Sequence, residues 1–292
     1  MGTGYSFSLF NPQRQVSYFG LSALDEGGFG SVWSGCDALG NPVAIKVIKP
    51  TGNSQNDFSS WLTDQHAHLL CWDHSHVVKT WDQFVSPEGY LVIVMELGSG
   101  NLYSLLRQGI RWSDKDICAT GWQLSSALRE VHAKNIVHRD VTLKNIIWFP
   151  GGICKLGDFG VSKHNVRPGE YARTLVGNPS YIAPELLING YVTNKSDIYQ
   201  LGLVLLSFMI GRHPIPENST RPQIRQMILD GVPRRWAESL IAAHGETAKI
   251  LVRMLPRHDA YRYQTAGEVE AAFAAEYQRL ESMEQFARQF HF

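Results

Sequence analysis

Hydrophobic residues along this chain change their period near Gly98, from short β-branched and aromatic runs to a repeat of three to four. Residues two apart share a face of a strand, whereas residues three and four apart share a face of a helix. The chain must therefore build a sheet first and a helical body second. Five runs precede the change: Val16–Leu24, Ser31–Gly35, Pro42–Lys49, Val77–Val85 and Gly89–Leu97. Turn formers at Gly40-Asn41 and Pro87–Gly89 separate neighbouring runs, which predicts an antiparallel sheet of about five strands. One stretch interrupts it. Phe58, Trp61, Leu62, Leu69 and Leu70 keep roughly helical spacing and predict a single helix within the sheet region.

Beyond Gly98, Ser113 and Asp116 fit an N-cap with an acidic partner ahead of the stripe Ile117, Leu124, Leu128 and Val131. Leu201–Gly211 is apolar but too short to span a bilayer, so it reads as a buried core helix. Thr265 and Glu268 fit a capping box before a last helix. Its apolar face runs through Phe273, Tyr277, Leu280, Phe286 and Phe290, and the reading is self-packing, with a monomer or weak homodimer expected.

The chain has 292 residues, 44% of them hydrophobic, enough for one large domain or two lobes. Lys+Arg and Asp+Glu are 27 each, a balance that gives no support to nucleic-acid binding. Cys36, Cys71, Cys118 and Cys154 form no CxxC pair, which points to reduced thiols and a cytoplasmic setting. No transmembrane segment or secretory signal is read, although Gly2 and Ser6 satisfy the short myristoylation pattern. His66, His68, His74 and His76 cluster in sequence, but the first two lie two apart on the expected helix and share no face.

Phosphoryl transfer needs backbone donors over phosphates, a cation reaching them, oxygen ligands for magnesium and an acceptor for the substrate hydroxyl's proton. Candidates for all four occur in order. LDEGGFGSVW, Leu24–Trp33, carries the end of a G-x-G-x-x-G-x-V hairpin at Gly27, Gly30 and Val32. VAIK follows at Val43–Lys46, HRDVTLKN at His138–Asn145 and DFG at Asp158–Gly160. GNPSYIAPE runs from Gly177 to Glu185, and SDIYQLG from Ser196 to Gly202. Together these motifs resemble the eukaryotic-type, Ser/Thr-like protein kinase family over nearly the whole chain.

The resemblance implies an α+β, bilobal fold. Residues 1–97 would form a small antiparallel N-lobe with one main helix, and residues 98–292 a larger helical C-lobe. It implies ATP and Mg2+ as cofactors and a protein substrate. Asp140 would take or orient the hydroxyl proton, Lys46 would anchor the nucleotide, and Asn145 and Asp158 would ligate magnesium. Leu24, Gly27, Gly28, Phe29, Gly30 and Val32 would cover the nucleotide. Ala44 would pack on the base, Met95 would guard the deeper pocket, and the Glu96 carbonyl and Gly98 amide would meet adenine. Arg139 would receive a phosphate on Thr174, with Ser162 and Tyr171 as further candidates. Glu185 would pair with Arg262.

Four positions depart from the family pattern. Asp25 replaces the first loop glycine. Gln65 stands where a helix glutamate would pair with Lys46, and no glutamate occurs between Glu26 and Glu88. Thr142 replaces a lysine that touches the transferred phosphate, a task Lys144 could take over, and Asn178 replaces a threonine. Two main readings follow: an active protein kinase, or a pseudokinase acting as a nucleotide-binding scaffold. A small-molecule kinase is a third, which the APE and SDIYQLG motifs disfavour.

Overall fold

The computed structural model describes residues 6–27, 30–49, 73–159, 163–164 and 178–289. The strands before the period change are β1 (Phe7–Asn11), β2 (Val16–Gly27), β3 (Gly30–Asp37), β4 (Pro42–Ile48), β5 (Thr80–Val85) and β6 (Leu91–Glu96). They form one six-stranded sheet in the order β1-β2-β3-β4-β6-β5, with every pairing antiparallel. Ile45, Phe84, Val92 and Val94 fill its apolar face and are almost wholly buried. The expected helix over Phe58–Leu70 lies outside the described residues, as does Gln65.

The sheet has one strand more than the five expected. β1 pairs with β2 in the register Phe7↔Gly20, and the Phe7 ring occupies the space a Cβ on Gly20 would need. Asn11 ends β1 and is 1% exposed. Its Nδ2 donates to Asp82 Oδ2 on β5 at 2.7 Å, and the Tyr18 hydroxyl donates to the same oxygen at 2.8 Å. Burial, reinforced by Asp82, pushes the Tyr18 phenol well above its ordinary range. Because β1 and β5 are opposite edges of the sheet, this link curls it. A buried polar group at the end of a five-residue run is what hid the strand from periodicity.

After Gly98 come β7 (Gly100–Asn101), α1 (Leu102–Arg107), α2 (Asp114–Ala133), β8 (Ile136–Val137), β9 (Ile146–Phe149), β10 (Ile153–Leu156) and β11 (Lys163–His164). Helices α3 (Pro184–Asn189), α4 (Asn194–Ile210), α5 (Arg221–Leu229), α6 (Val232–Ser239), α7 (Ile241–Met254) and α8 (Ala266–Gln289) complete the described α-helices. Ser113 and Asp116 close a reciprocal capping box on α2, whose stripe is buried as expected. Helix α4 is buried along most of its length, and among the described residues no helix is long and apolar enough to cross a membrane. Phe273 of α8 is fully buried and lies where a Cβ on Gly121 of α2 would fall, so these two helices approach closely. The apolar face of α8 does not stay covered to its end: Met283 is 57% and Phe286 62% exposed, and Phe290 lies outside the described residues.

Candidate active site

The β2–β3 hairpin narrows to the pair Gly27↔Gly30. Gly30 has φ +118°, and a Cβ there would come within 2.4 Å of the Val47 carbonyl oxygen, so only glycine fits. Gly28 and Phe29 lie outside the described residues. Beneath the hairpin is a cavity of about 290 Å3, the size of a small ligand pocket. Leu24, Val32, Ala44, Ile93, Met95 and Ile147 give it apolar walls, and Glu96 and Gly98 border it where β6 ends. The 54% exposure of Leu24 is thus exposure beside this opening. Gly98 allows a close approach, since a Cβ would lie 2.2 Å from Ile147 Cγ2.

Lys46, Lys144, Asn145 and Asp158 bring charge and polarity to the same cavity. Lys46 is carried on β4 opposite Ile93 of β6 and is 6% exposed. Its Nζ donates to Asp158 Oδ1 at 2.6 Å. Asp158 has φ +57°, a conformation rare for non-glycine residues, and Phe159 behind it is buried with its ring 4.6 Å from that of His138. Asn145 Nδ2 donates to Asp140 Oδ2 at 2.7 Å and to the Asp140 carbonyl at 2.9 Å. Burial pushes the Asp140 carboxyl above its ordinary range, with nearby Asp158 adding to the shift. His138, the Asn145 side chain and the Asn178 backbone amide oppose it.

The departures from the family pattern take definite places. Asp25 pairs with Lys144: its carboxylate lies 3.4 Å from Nζ, with both side chains about half exposed. Thr142 is 5% exposed, inside the loop. The Asn178 side chain caps the turn Pro179–Tyr181 by accepting from the Ser180 amide, while its backbone serves Asp140. Thr174, Tyr171 and Ser162 lie outside the described residues. His74 and His76 face Ser126 Oγ and the Cys154 carbonyl.

Three residues to which the sequence reading gave no role support the loop. Asp197 of α4, wholly buried, accepts from the His138 amide at 2.9 Å and the Arg139 amide at 2.8 Å. This holds Arg139 at φ +70° immediately before Asp140. The Tyr181 hydroxyl meets the Leu143 amide, and Gln200 reaches the same loop from α4. Their motifs, SDIYQLG for Asp197 and Gln200 and GNPSYIAPE for Tyr181, were legible; the partners of these polar groups were not. At the end of β6, the Glu96 side chain accepts from Lys155 Nζ at 2.7 Å and from the Lys79 amide at 2.7 Å.

Magnesium favours hard oxygen ligands. The Asn145 amide nitrogen is engaged on Asp140, which turns Oδ1 the other way, and Asp158 supplies a carboxylate in the same cavity. This donor set fits such an ion.

The model of the protein kinase domain matches residues 18–271. The chain is 29% identical over 216 residues to serine/threonine-protein kinase TIO of Arabidopsis thaliana, covering 74% of this chain and 16% of that protein. It is 29% identical over 259 residues to serine/threonine-protein kinases PknA of Corynebacterium glutamicum, covering 86% of this chain and 54% of that protein. Against serine/threonine-protein kinase Nek5 of Homo sapiens the identity is 34% over 160 residues, with 53% and 22% covered. The chain therefore spans from about one sixth to about half the length of these relatives. A domain match across most of the chain, on a curled sheet and a helical body with these polar groups converging on one cavity, has one reading: the chain belongs to the protein kinase domain family.

Proposed function

We propose that this protein transfers the γ-phosphoryl group of ATP to Ser and Thr hydroxyls of protein substrates, with Mg2+. The observation that carries the proposal is convergence. Lys46 meets Asp158, and Asn145 meets Asp140, beside a single cavity of about 290 Å3. Magnesium, held by Asn145 and Asp158, would neutralise charge on the phosphates. Asp140, its carboxyl raised by burial, accepts or orients the hydroxyl proton and does so better than an exposed carboxylate. Lys46 draws the phosphates inward, and Lys144, at the same cavity, serves the transferred group in place of the buried Thr142. Leu24, Val32, Ala44 and Met95 enclose the base, Glu96 and Gly98 offer it backbone groups, and Gly27, Gly28, Phe29 and Gly30 cover the phosphates. The Ser/Thr class rests on GNPSYIAPE and on the similarity to serine/threonine-protein kinases.

In this reading residues 1–97 and 98–292 are the two lobes, and a phosphate on Thr174 meets Arg139 to order the loop between them and the substrate. The cytoplasmic setting rests on the spacing of the cysteines, and burial, which pushes the Cys118 and Cys154 thiols up to about 12 and about 11, keeps them protonated and unreactive. A monomer or weak homodimer suits the packing of α8 on α2.

Transfer of labelled phosphate with magnesium, comparing wild type with Asp140→Asn, tests the reading. Wild type is expected to label itself or a generic protein substrate, and Asp140→Asn to lose at least about a hundredfold in rate. No transfer by wild type, or equal transfer by both, overturns it.

A further inference from the structure

Gln200 lies on α4, within a helix whose neighbours are mostly apolar, and is 6% exposed. A buried amide side chain is costly unless its donors and acceptors are satisfied. Three bonds satisfy it. Its Oε1 accepts from the Val141 amide at 3.0 Å, and its Nε2 donates to the Arg139 carbonyl at 3.0 Å and to the Tyr181 carbonyl at 3.2 Å. The Arg139 carbonyl and the Val141 amide belong to the two peptide groups on either side of Asp140. One side chain thus grips the backbone both before and after the proposed proton acceptor. The third bond ties this grip to the Asn178–Tyr181 segment through the Tyr181 carbonyl.

Asp197 holds the amides of His138 and Arg139, upstream of Asp140. The peptide that follows Asp140 is held by Gln200 through the Val141 amide. Two fixed peptide planes fix the Cα–Cβ direction between them, and Arg139 at φ +70° would relax if its carbonyl were released. Gln200 also lines a hollow shared with Arg139, Asp140 and Asn178, which has no lining residue in common with the cavity that Lys46 and Asp158 border.

We infer that Gln200 is a positioning residue for phosphoryl transfer: it aims the Asp140 carboxylate at the substrate hydroxyl and couples that aim to the segment that follows the Thr174 loop. The inference rests on the kinase reading. Its effect belongs on the chemical step and not on nucleotide affinity, because none of its three bonds reaches a residue that holds the nucleotide.

The test uses the full chain with Gln200→Met and Gln200→Glu, measuring kcat, KM for ATP and the magnesium-dependent thermal shift with ATP. Gln200→Met keeps the length of the side chain and removes all three bonds. Its kcat is expected to fall about 10- to 100-fold, with KM for ATP within about twofold of wild type. Gln200→Glu keeps the acceptor for Val141 but sets an ionised carboxylate against two carbonyls. Protonation of the introduced carboxyl restores one donor, so the ratio of its kcat to that of wild type rises as pH falls. A kcat for Gln200→Met within about twofold of wild type overturns the inference. So does loss of ATP binding in step with kcat, which marks a role in the fold alone. If Gln200→Met does not fold, the pH dependence of Gln200→Glu decides, and a flat ratio overturns the inference. Wild type that transfers no phosphate instead overturns the kinase reading, and the positioning role with it.

Discussion

Asp25 occupies the first glycine position of the hairpin, where a carboxylate would repel phosphate unless it is turned aside or neutralised. Lys144 does the neutralising, 3.4 Å away across the mouth of the cavity. Both groups are about half exposed, so water and salt screen the pair and it contributes at most about 1 kcal/mol, near fivefold in an equilibrium constant. Removing the carboxylate frees Lys144 for the nucleotide. Asp25→Gly is therefore expected to tighten ATP by up to about fivefold, less at high salt. Gly27→Val, which adds side-chain bulk beside the Gly30 pair, is expected to weaken ATP by more than that. Thermal-shift titration with ATP at two ionic strengths checks both; equal effects of the two variants would contradict this placement.

At the scale of elements, the helical body hangs on a few buried polar ties. Arg262 donates to Glu185 at 2.7 and 3.0 Å, and both side chains are 2% exposed or less. Glu185 also accepts from Ser196 Oγ, so the pair ties α3 and the start of α4 to the segment before α8. Arg262→Leu leaves the Glu185 charge buried without its partner and is expected to cost about 3–5 kcal/mol, read as a lower midpoint in urea unfolding. Motif recognition had already matched this pair. The cap of α8 was half legible: Thr265 Oγ1 accepts from the Glu268 amide, but the Glu268 carboxylate reaches back to the Gln264 amide and not to Thr265. β1 was not legible, because its last residue, Asn11, is polar and is buried only through Asp82, 71 residues on.

For the whole molecule, partly buried imidazoles set a pH dependence. Burial lowers the pKa of His74, His76 and His213 below the ordinary value of 6.5. As pH falls through 6.5 the unfolded chain gains protons at these sites while the folded chain does not, so stability is fully present above that pH and is lost below it. The thermal midpoint is expected to drop between about pH 7.5 and 5.5, and His213→Gln to flatten that slope. A midpoint independent of pH in this range, or an unchanged slope in the variant, would count against these sites being protected from protonation.

Residue type and spacing alone determined the two-block architecture and the order of the motifs, and the family resemblance carried by those motifs pointed to Lys46, Asp140, Asn145 and Asp158 as the candidate groups. Each of those inferences depends on a short stretch of chain, where periodicity and local backbone needs act directly. Only the tertiary structure decided which partner each group meets. Lys46 and Asp158 are 112 residues apart, Asp25 and Lys144 are 119 apart, and Gln200 and Val141 are 59 apart. Contacts over such distances depend on how the sheet curls and on where α4 is buried. A polar side chain inside that core must bond whatever backbone group the fold brings to it. For that reason Gln200, unremarkable within its motif, comes to hold the peptides around Asp140.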